Sequence, residues 1–159
     1  MIIRRAGYKD TERIKDLLSQ VLMVHHNGRP DIFKPDCRKY TDDELIAIIN
    51  NDRTPIFVSE TDGVVSGYCF CIIKETVCDN ILCDSKSIYI DDLCVDETKR
   101  GQNIGKALFE YVKEYAKNTG CDSITLNVWE CNPGAKHFYE KLGLVPMKTV
   151  MEYNLTNDK

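Results

Sequence analysis

A chain of 159 residues is long enough for one domain with a sizeable core, expected here to span 1–159, and no apolar run reaches the length of a membrane span. Its net charge of −4 argues against nucleic acid as the main partner and is permissive for cationic substrates. Met1–Arg5 turns polar too soon for a signal peptide, so a cytoplasmic location is expected. In chain order, Ile2–Ala6 reads as a first strand. Asp10 is placed to N-cap a helix burying Ile14, Leu17, Leu18, Val21 and Leu22, which His25–Pro30 ends. Asp31–Pro35 is a loop, because its proline cannot continue a helix. Thr41 and Glu44 form a capping box at the head of a second helix with apolar Leu45, Ile48 and Ile49. Pro55–Glu60 and Val64–Ile73 make a hairpin turning at Asp62-Gly63. Asp79–Lys86 is an exposed loop ahead of the strand Ser87–Ile90. A polar stretch then leads to a long helix with Ile104, Leu108, Val112 and Tyr115 on one face, ending at Gly120. Ser123–Trp129 is another strand, Pro133 opens a short helix that Gly143 stops, and Met147–Leu155 is expected to close the sheet.

The eight cysteines contain no Cys-x-x-Cys pair. Cys69 and Cys71 share a strand face but have no nearby histidine, so reduced thiols, several of them core residues, are expected and no metal site is.

The informative stretch runs from Asp91 to Leu108. A strand, a glycine-bearing turn and a helix start form an anion site, because the first helical N–H groups have no intrahelical partner and the dipole adds positive charge. Gly101 and Gly105 permit close approach of a phosphate, and Lys99, Arg100 and Lys106 surround it with positive charge. A Walker loop is excluded, since only three residues separate the glycines and Ala107 follows Lys106. A dinucleotide Gly-x-Gly-x-x-Gly is also absent. On the loop alone, a polar strand-to-helix connection with solvated lysines is the alternative.

Arg100-Gly101-Gln102-Asn103-Ile104-Gly105 resembles the Arg/Gln-x-x-Gly-x-Gly/Ala pyrophosphate loop of the GCN5-related N-acetyltransferases (GNAT). Asn103 replaces the usual glycine, and asparagine tolerates the left-handed backbone that the turn would require. A second match lies at Asn132, Ala135, Phe138, Tyr139, Leu142 and Gly143, similar to the family's Asn-x-x-Ala-x-x-Phe-Tyr-x-x-Leu-Gly-Phe signature, with Leu144 in place of the final Phe. The resemblance implies an α/β fold of order βααβββαβαβ, with a mixed sheet that splays beside its central strand. It implies acetyl-CoA as co-substrate, with Leu93, Cys94 and Val95 offering backbone groups to pantetheine and the thioester carbonyl. Arg100, Gly101, Gln102, Asn103, Ile104, Gly105 and Lys106 would cradle the pyrophosphate, with Asn132 beside the cofactor and Tyr139 near its sulfur. Asn132 is equally an ordinary N-cap, and Tyr139 equally a core aromatic beside Phe138.

Acetyl transfer needs a neutral amine. A lysine-like amine of pKa about 10.4 is neutral in only about one molecule in a thousand near pH 7.4, a handicap of roughly 4 kcal/mol, so a proton acceptor matters. Tyr89-Ile90-Asp91-Asp92-Leu93-Cys94-Val95 resembles the Tyr-Val-Glu-Asp-Ile-Tyr-Val segment of diamine acetyltransferases, which picks Asp91 as the carboxylate acting near the amine. Asp92 is a substrate-binding candidate expected to contribute less, because successive strand residues face opposite sides. Both carboxylates are also readable as solvated or capping charges. Phe33 and His26 are expected in the acceptor wall, although a helix-end histidine also serves simply to complement the dipole. The expected reaction is direct acetyl transfer to a primary amine, a small cationic one favoured, with no nucleic acid or membrane partner and a homodimer left open. Protein N-termini or lysines are alternative acceptors, and an acyl-CoA-binding regulatory module without turnover is the alternative of a different class.

Overall fold

The computed structural model describes residues 1–155, which form two compact units, residues 1–127 and the residues from 128 onward. The first holds a five-stranded sheet in spatial order β1-β2-β3-β4-β5. Its strands are β1 (Ile2–Arg5), β2 (Ile56–Thr61), β3 (Val64–Thr76), β4 (Ser85–Val95) and β5 (Ser123–Leu126), joined with helices α1 (Thr11–Gly28), α2 (Asp42–Ile49) and α3 (Ile104–Asn118). All neighbours pair antiparallel except β4 and β5, which run parallel and are joined through α3, as a parallel crossover requires.

Alternation along the strands builds two apolar layers. Ile56 and Val58 of β2 join Ile14, Leu17, Leu18, Leu45 and Tyr68 in one cluster under α1 and α2. Phe57, between them in sequence, packs with its ring centroid 5.0 Å from those of both Tyr111 and Tyr115 of α3, at steep angles. The face of α3 buries Ile104, Leu108, Phe109, Val112 and Ala116. At the centre, Gly67 of β3 lets α3 and β4 come close: a Cβ there would lie 2.8 Å from the backbone oxygen of Cys94 and 3.3 Å from Ile104 and Leu108. Gly67→Ala is expected to destabilise the protein by about 1–3 kcal/mol, read as a lower urea midpoint, because a backbone oxygen cannot move aside as a side-chain tip does. An unchanged midpoint would contradict this packing.

Several local expectations hold. Thr41 Oγ1 accepts from the Glu44 N–H at 3.3 Å while Glu44 Oε2 accepts from the Thr41 N–H at 2.7 Å, closing the capping box. The hairpin turns at Asp62 and Gly63, both at positive φ (52° and 78°), as a two-residue turn between twisted strands needs. Other expectations are corrected. Asp10 does not cap α1 with its side chain; its carboxylate instead accepts from Arg4 at 2.7 and 2.8 Å and from the Gly7 N–H at 2.8 Å. An arginine fork outcompetes a single cap bond, and it holds the Asp10 carboxyl below its usual range. β4 is longer than Ser87–Ile90, because β3 accompanies it from Ser85 to Val95, and β5 stops at Leu126 rather than Trp129.

The second unit contains α4 (Pro133–Lys141), capped by Asn132, whose Oδ1 accepts from the Ala135 N–H at 3.1 Å. Gly143, at φ 92°, stops it. No strand is assigned over Met147–Leu155 within this unit: a β ladder needs a partner strand, and the described residues of the unit contain none.

Candidate active site

Two features of the first unit build the site. One is the path of β4. Its parallel pairing with β5 covers only Ser87–Ile90 against Ser123–Leu126, so from Asp91 to Val95 β4 is flanked by β3 alone within this unit. Leu93, Cys94 and Val95 therefore lie where β5 no longer takes their backbone groups. The other is the α3 start. Asp96 Oδ1 accepts from the N–H and hydroxyl of Thr98 at 2.8 and 2.7 Å, and its second oxygen pairs with Arg13 from α1. The Thr98 bonds, with Arg13 adding to them, hold the Asp96 carboxyl down at about 2. It thus stays charged and fixes the turn between β4 and the loop.

In that loop Gly101 (φ 80°) and Asn103 (φ 60°) both adopt the left-handed conformation, and a Cβ on Gly101 would meet nothing within 4 Å. Asn103 serves where glycine is the usual residue, as its tolerance of this region allows. Ile104 is buried under the sheet and anchors the helix start, while Gly101, Gln102, Asn103 and Lys106 are exposed around it. No acidic residue stands in the first turn of α3. Fifteen residues of helix dipole, unfilled first-turn N–H groups, Arg100 and Lys106 thus present an open positive cradle that fits a pyrophosphate.

The acceptor-side candidates come together differently from the expectation. Opposite Phe70 and Cys71 the register jumps: Cys71 pairs with Ile90 and Phe70 with Asp92, leaving Asp91 as the extra residue of a β-bulge. The bulge breaks strict alternation, so Asp91 and Asp92 both reach one ammonium. Lys39 Nζ lies 2.9 Å from Asp91 Oδ2 and 3.6 Å from Asp92 Oδ2. The Asp92 side chain is only 8% exposed, against 29% for Asp91. Tyr68 donates to Asp92 Oδ2 at 3.1 Å, and Tyr40, stacked on Phe70, reaches Asp91 Oδ2 at 3.5 Å. Burial raises the Asp92 carboxyl above its usual range, opposed chiefly by Lys39. Burial also works against the Lys39 charge, but the two carboxylates outweigh it and hold the ammonium above its ordinary value. Burial pushes the Cys94 thiol to about 12.

Phe33 and His26 meet near this cluster. His26 Nδ1 is 2.7 Å from the Phe33 carbonyl oxygen, and the His25 and Phe33 rings are 4.9 Å apart. His25 lies within electrostatic reach of Asp92, and burial lowers its pKa. Thus His25 is the member of the pair that faces the carboxylates, and His26 ties the Phe33 loop to α1. In the second unit Tyr139 sits on α4 with its ring 5.1 Å from that of Phe138, at 62°. Among the described residues no group of three His, Cys, Asp or Glu is placed to hold a metal ion, and no helix is long and apolar enough to cross a membrane. Lys39, Tyr40, Tyr68, Arg13 and Asp96 are participants that motif reading missed; no short pattern marks the first four, which arrive from distant segments, and Asp96, inside the central stretch, gains its role only through Arg13 and Thr98.

Comparison with known proteins supplies the family. The model of the acetyltransferase (GNAT) family matches residues 22–144. A glucosamine 6-phosphate N-acetyltransferase of Arabidopsis thaliana is 29% identical over 109 residues, covering 69% of this chain and 64% of the plant enzyme, so the chain spans just under two thirds of that relative's length. A bovine (Bos taurus) thialysine N-epsilon-acetyltransferase is 36% identical over 58 residues, 36% of this chain and 34% of its own. Among solved structures, that of a mutant of the BH1408 protein from Bacillus halodurans has a TM-score of 0.94 at 33% identity, covering 98% of this chain and 99% of that one. A metagenomic aminoglycoside acetyltransferase, solved with sisomicin, shares the fold at TM-score 0.72 and 16% identity, over 96% of this chain and 93% of its own. With 22–144 matched, more than half of its length, the chain belongs to the acetyltransferase (GNAT) family.

Proposed function

We propose that the protein is an N-acetyltransferase that moves the acetyl group of acetyl-CoA to a primary amine of a small cationic acceptor, by direct attack in a ternary complex. The observation that carries the acceptor class is the bulge at Asp91, which turns two carboxylates toward one ammonium beside the stretch of β4 that β5 no longer pairs. In this reading Arg100, Gly101, Gln102, Asn103, Ile104, Gly105 and Lys106 hold the pyrophosphate at backbone amides of the α3 start. Leu93, Cys94 and Val95 meet the pantetheine arm, with Asn132 beside the cofactor. Acetyl-CoA supplies an acetyl group activated as a thioester, whose thiolate leaves with little acid help. Asp91, the more exposed of the pair, orients the amine and passes its proton to water; Asp92 adds charge from below, and Phe33 lines the acceptor wall, its loop held by His26.

Tyr139 is proposed to donate a proton to the departing sulfur. Tyr139→Phe should lower kcat by about tenfold to a hundredfold, the low end for general acids, and leave acetyl-CoA affinity nearly intact. An unchanged kcat with chemistry rate-limiting would make Tyr139 a packing residue. The reading as a whole is tested by transfer of label from [acetyl-14C]acetyl-CoA to small amines, to amino acids and to peptides with free N-termini or lysines. Label on a small cationic amine supports it. Label only on peptides would reassign the acceptor, and acetyl-CoA binding without transfer to any of them would mark a regulatory module.

A further inference from the structure

We propose that Lys39, lodged between Asp91 and Asp92 at the β4 bulge, is a positioning residue that favours the charged form of the buried Asp92 carboxylate in the acceptor pocket. The inference rests on the proposed acceptor site, and on three observations. Lys39 comes from the loop between α1 and α2, and its ammonium reaches both carboxylates, at 2.9 and 3.6 Å. The bulge forces adjacent carboxylates toward one point, where the Asp91 charge opposes ionisation of Asp92. The Asp92 side chain is nearly buried, so water cannot screen that repulsion.

The groups facing Asp92 leave Lys39 without a substitute. From β3 come the Tyr68 hydroxyl, at 3.1 Å, and the Cys69 thiol; from β4 itself come Asp91 and the Cys94 thiol. From α1 comes His25, whose burial favours the neutral ring; from the loop come Lys39 and Tyr40, which sits against Asp91. Burial holds Tyr68 well above its usual range, so it remains a neutral donor; Cys69 is likewise raised, by its bond with Cys71 and by burial. Among the described residues Lys39 is therefore the cation that reaches both carboxylates, while Arg100 acts on the Cys94 thiol. Without Lys39 the buried Asp92, beside the Asp91 carboxylate, would hold a proton to higher pH.

The sign follows directly. Activity that needs charged Asp92 falls as pH falls through the pKa of Asp92. Removing the ammonium raises that pKa, so the acid limb moves toward higher pH. Lys39→Met should shift the acid limb of kcat/KM upward by about one to three pH units, the size of an opposite charge within a few ångströms. Lys39→Arg should return most of the shift. The independent readout is 13C NMR of [γ-13C]aspartate-labelled protein without acceptor, titrated for wild type, Lys39→Met and the assigning variants Asp91→Asn and Asp92→Asn. An upward move of the Asp92 titration in Lys39→Met supports the proposal even if no tested amine is acetylated, in which case only the acceptor assignment fails. A Lys39→Met protein with unmoved carboxyl titration overturns it. So does a loss of kcat/KM that is equal at every pH, which would make Lys39 merely structural.

Discussion

Gly105→Glu is expected to weaken acetyl-CoA binding by about 3 kcal/mol, roughly a hundredfold in Kd, through lost charge-assisted bonds and repulsion of the pyrophosphate. The fold should tolerate the change. Gly105 is the second residue of α3, where glutamate has better helix propensity than glycine and a negative charge suits the dipole. The variant thus separates binding from stability: its denaturation midpoint should stay or rise while titration calorimetry shows acetyl-CoA affinity collapsing. Unchanged affinity in the folded variant would remove the pyrophosphate from this loop, and with it the placement of the cofactor along Leu93–Val95.

Asp91→Asn carries the next largest effect. It should raise KM for a diamine and lower kcat/KM about tenfold to a hundredfold near pH 7, as expected when a buried or half-buried charged partner worth roughly 1.5–3 kcal/mol is lost. The loss should shrink toward pH 9.5, where more of the amine is already neutral and needs no proton acceptor. A residue pointing away, as strict alternation would have made Asp92, should matter little. The bulge changes that expectation: both carboxylates meet Lys39, so Asp92→Asn should also lower kcat/KM by a comparable factor. It should also leave Lys39 paired with Asp91 alone. The pH–rate profiles of the two variants check this. A loss at Asp91 that stays constant from neutral to alkaline pH would exclude it from the proton path, and an unaffected Asp92→Asn would show that the pair does not act together.

The local parts of the site were legible in the sequence because each is fixed by residues close together in the chain. Asn103 between Gly101 and Gly105 announced a left-handed turn before a helix, and the structure has both Asn103 and Gly101 at positive φ. Asn132 ahead of Pro133 announced a cap, and Thr41 with Glu44 a capping box. What could not be read was set by pairings between distant segments. The bulge at Asp91 exists only because Phe70 and Cys71 of β3 pair with Asp92 and Ile90, and no pattern within Tyr89–Val95 encodes it. Asp10 looked like a cap, yet Arg4, six residues earlier, captures it. Lys39 stood in an unremarkable polar loop. Its meaning depends on a strand more than fifty positions on, as does that of Arg13, which closes on Asp96.

Steady-state release of CoA thiol from acetyl-CoA, compared between a small diamine and an acidic amino acid of similar length, tests the acceptor site most directly. A pocket built on Asp91 and Asp92 attracts a cationic amine and repels a carboxylate-bearing one, and an ion pair in such half-buried surroundings is poorly screened. The diamine should therefore be acetylated with at least tenfold higher kcat/KM, and the advantage should fall in Asp91→Asn. Equal kcat/KM for the two acceptors, or preference for the acidic one, would contradict it.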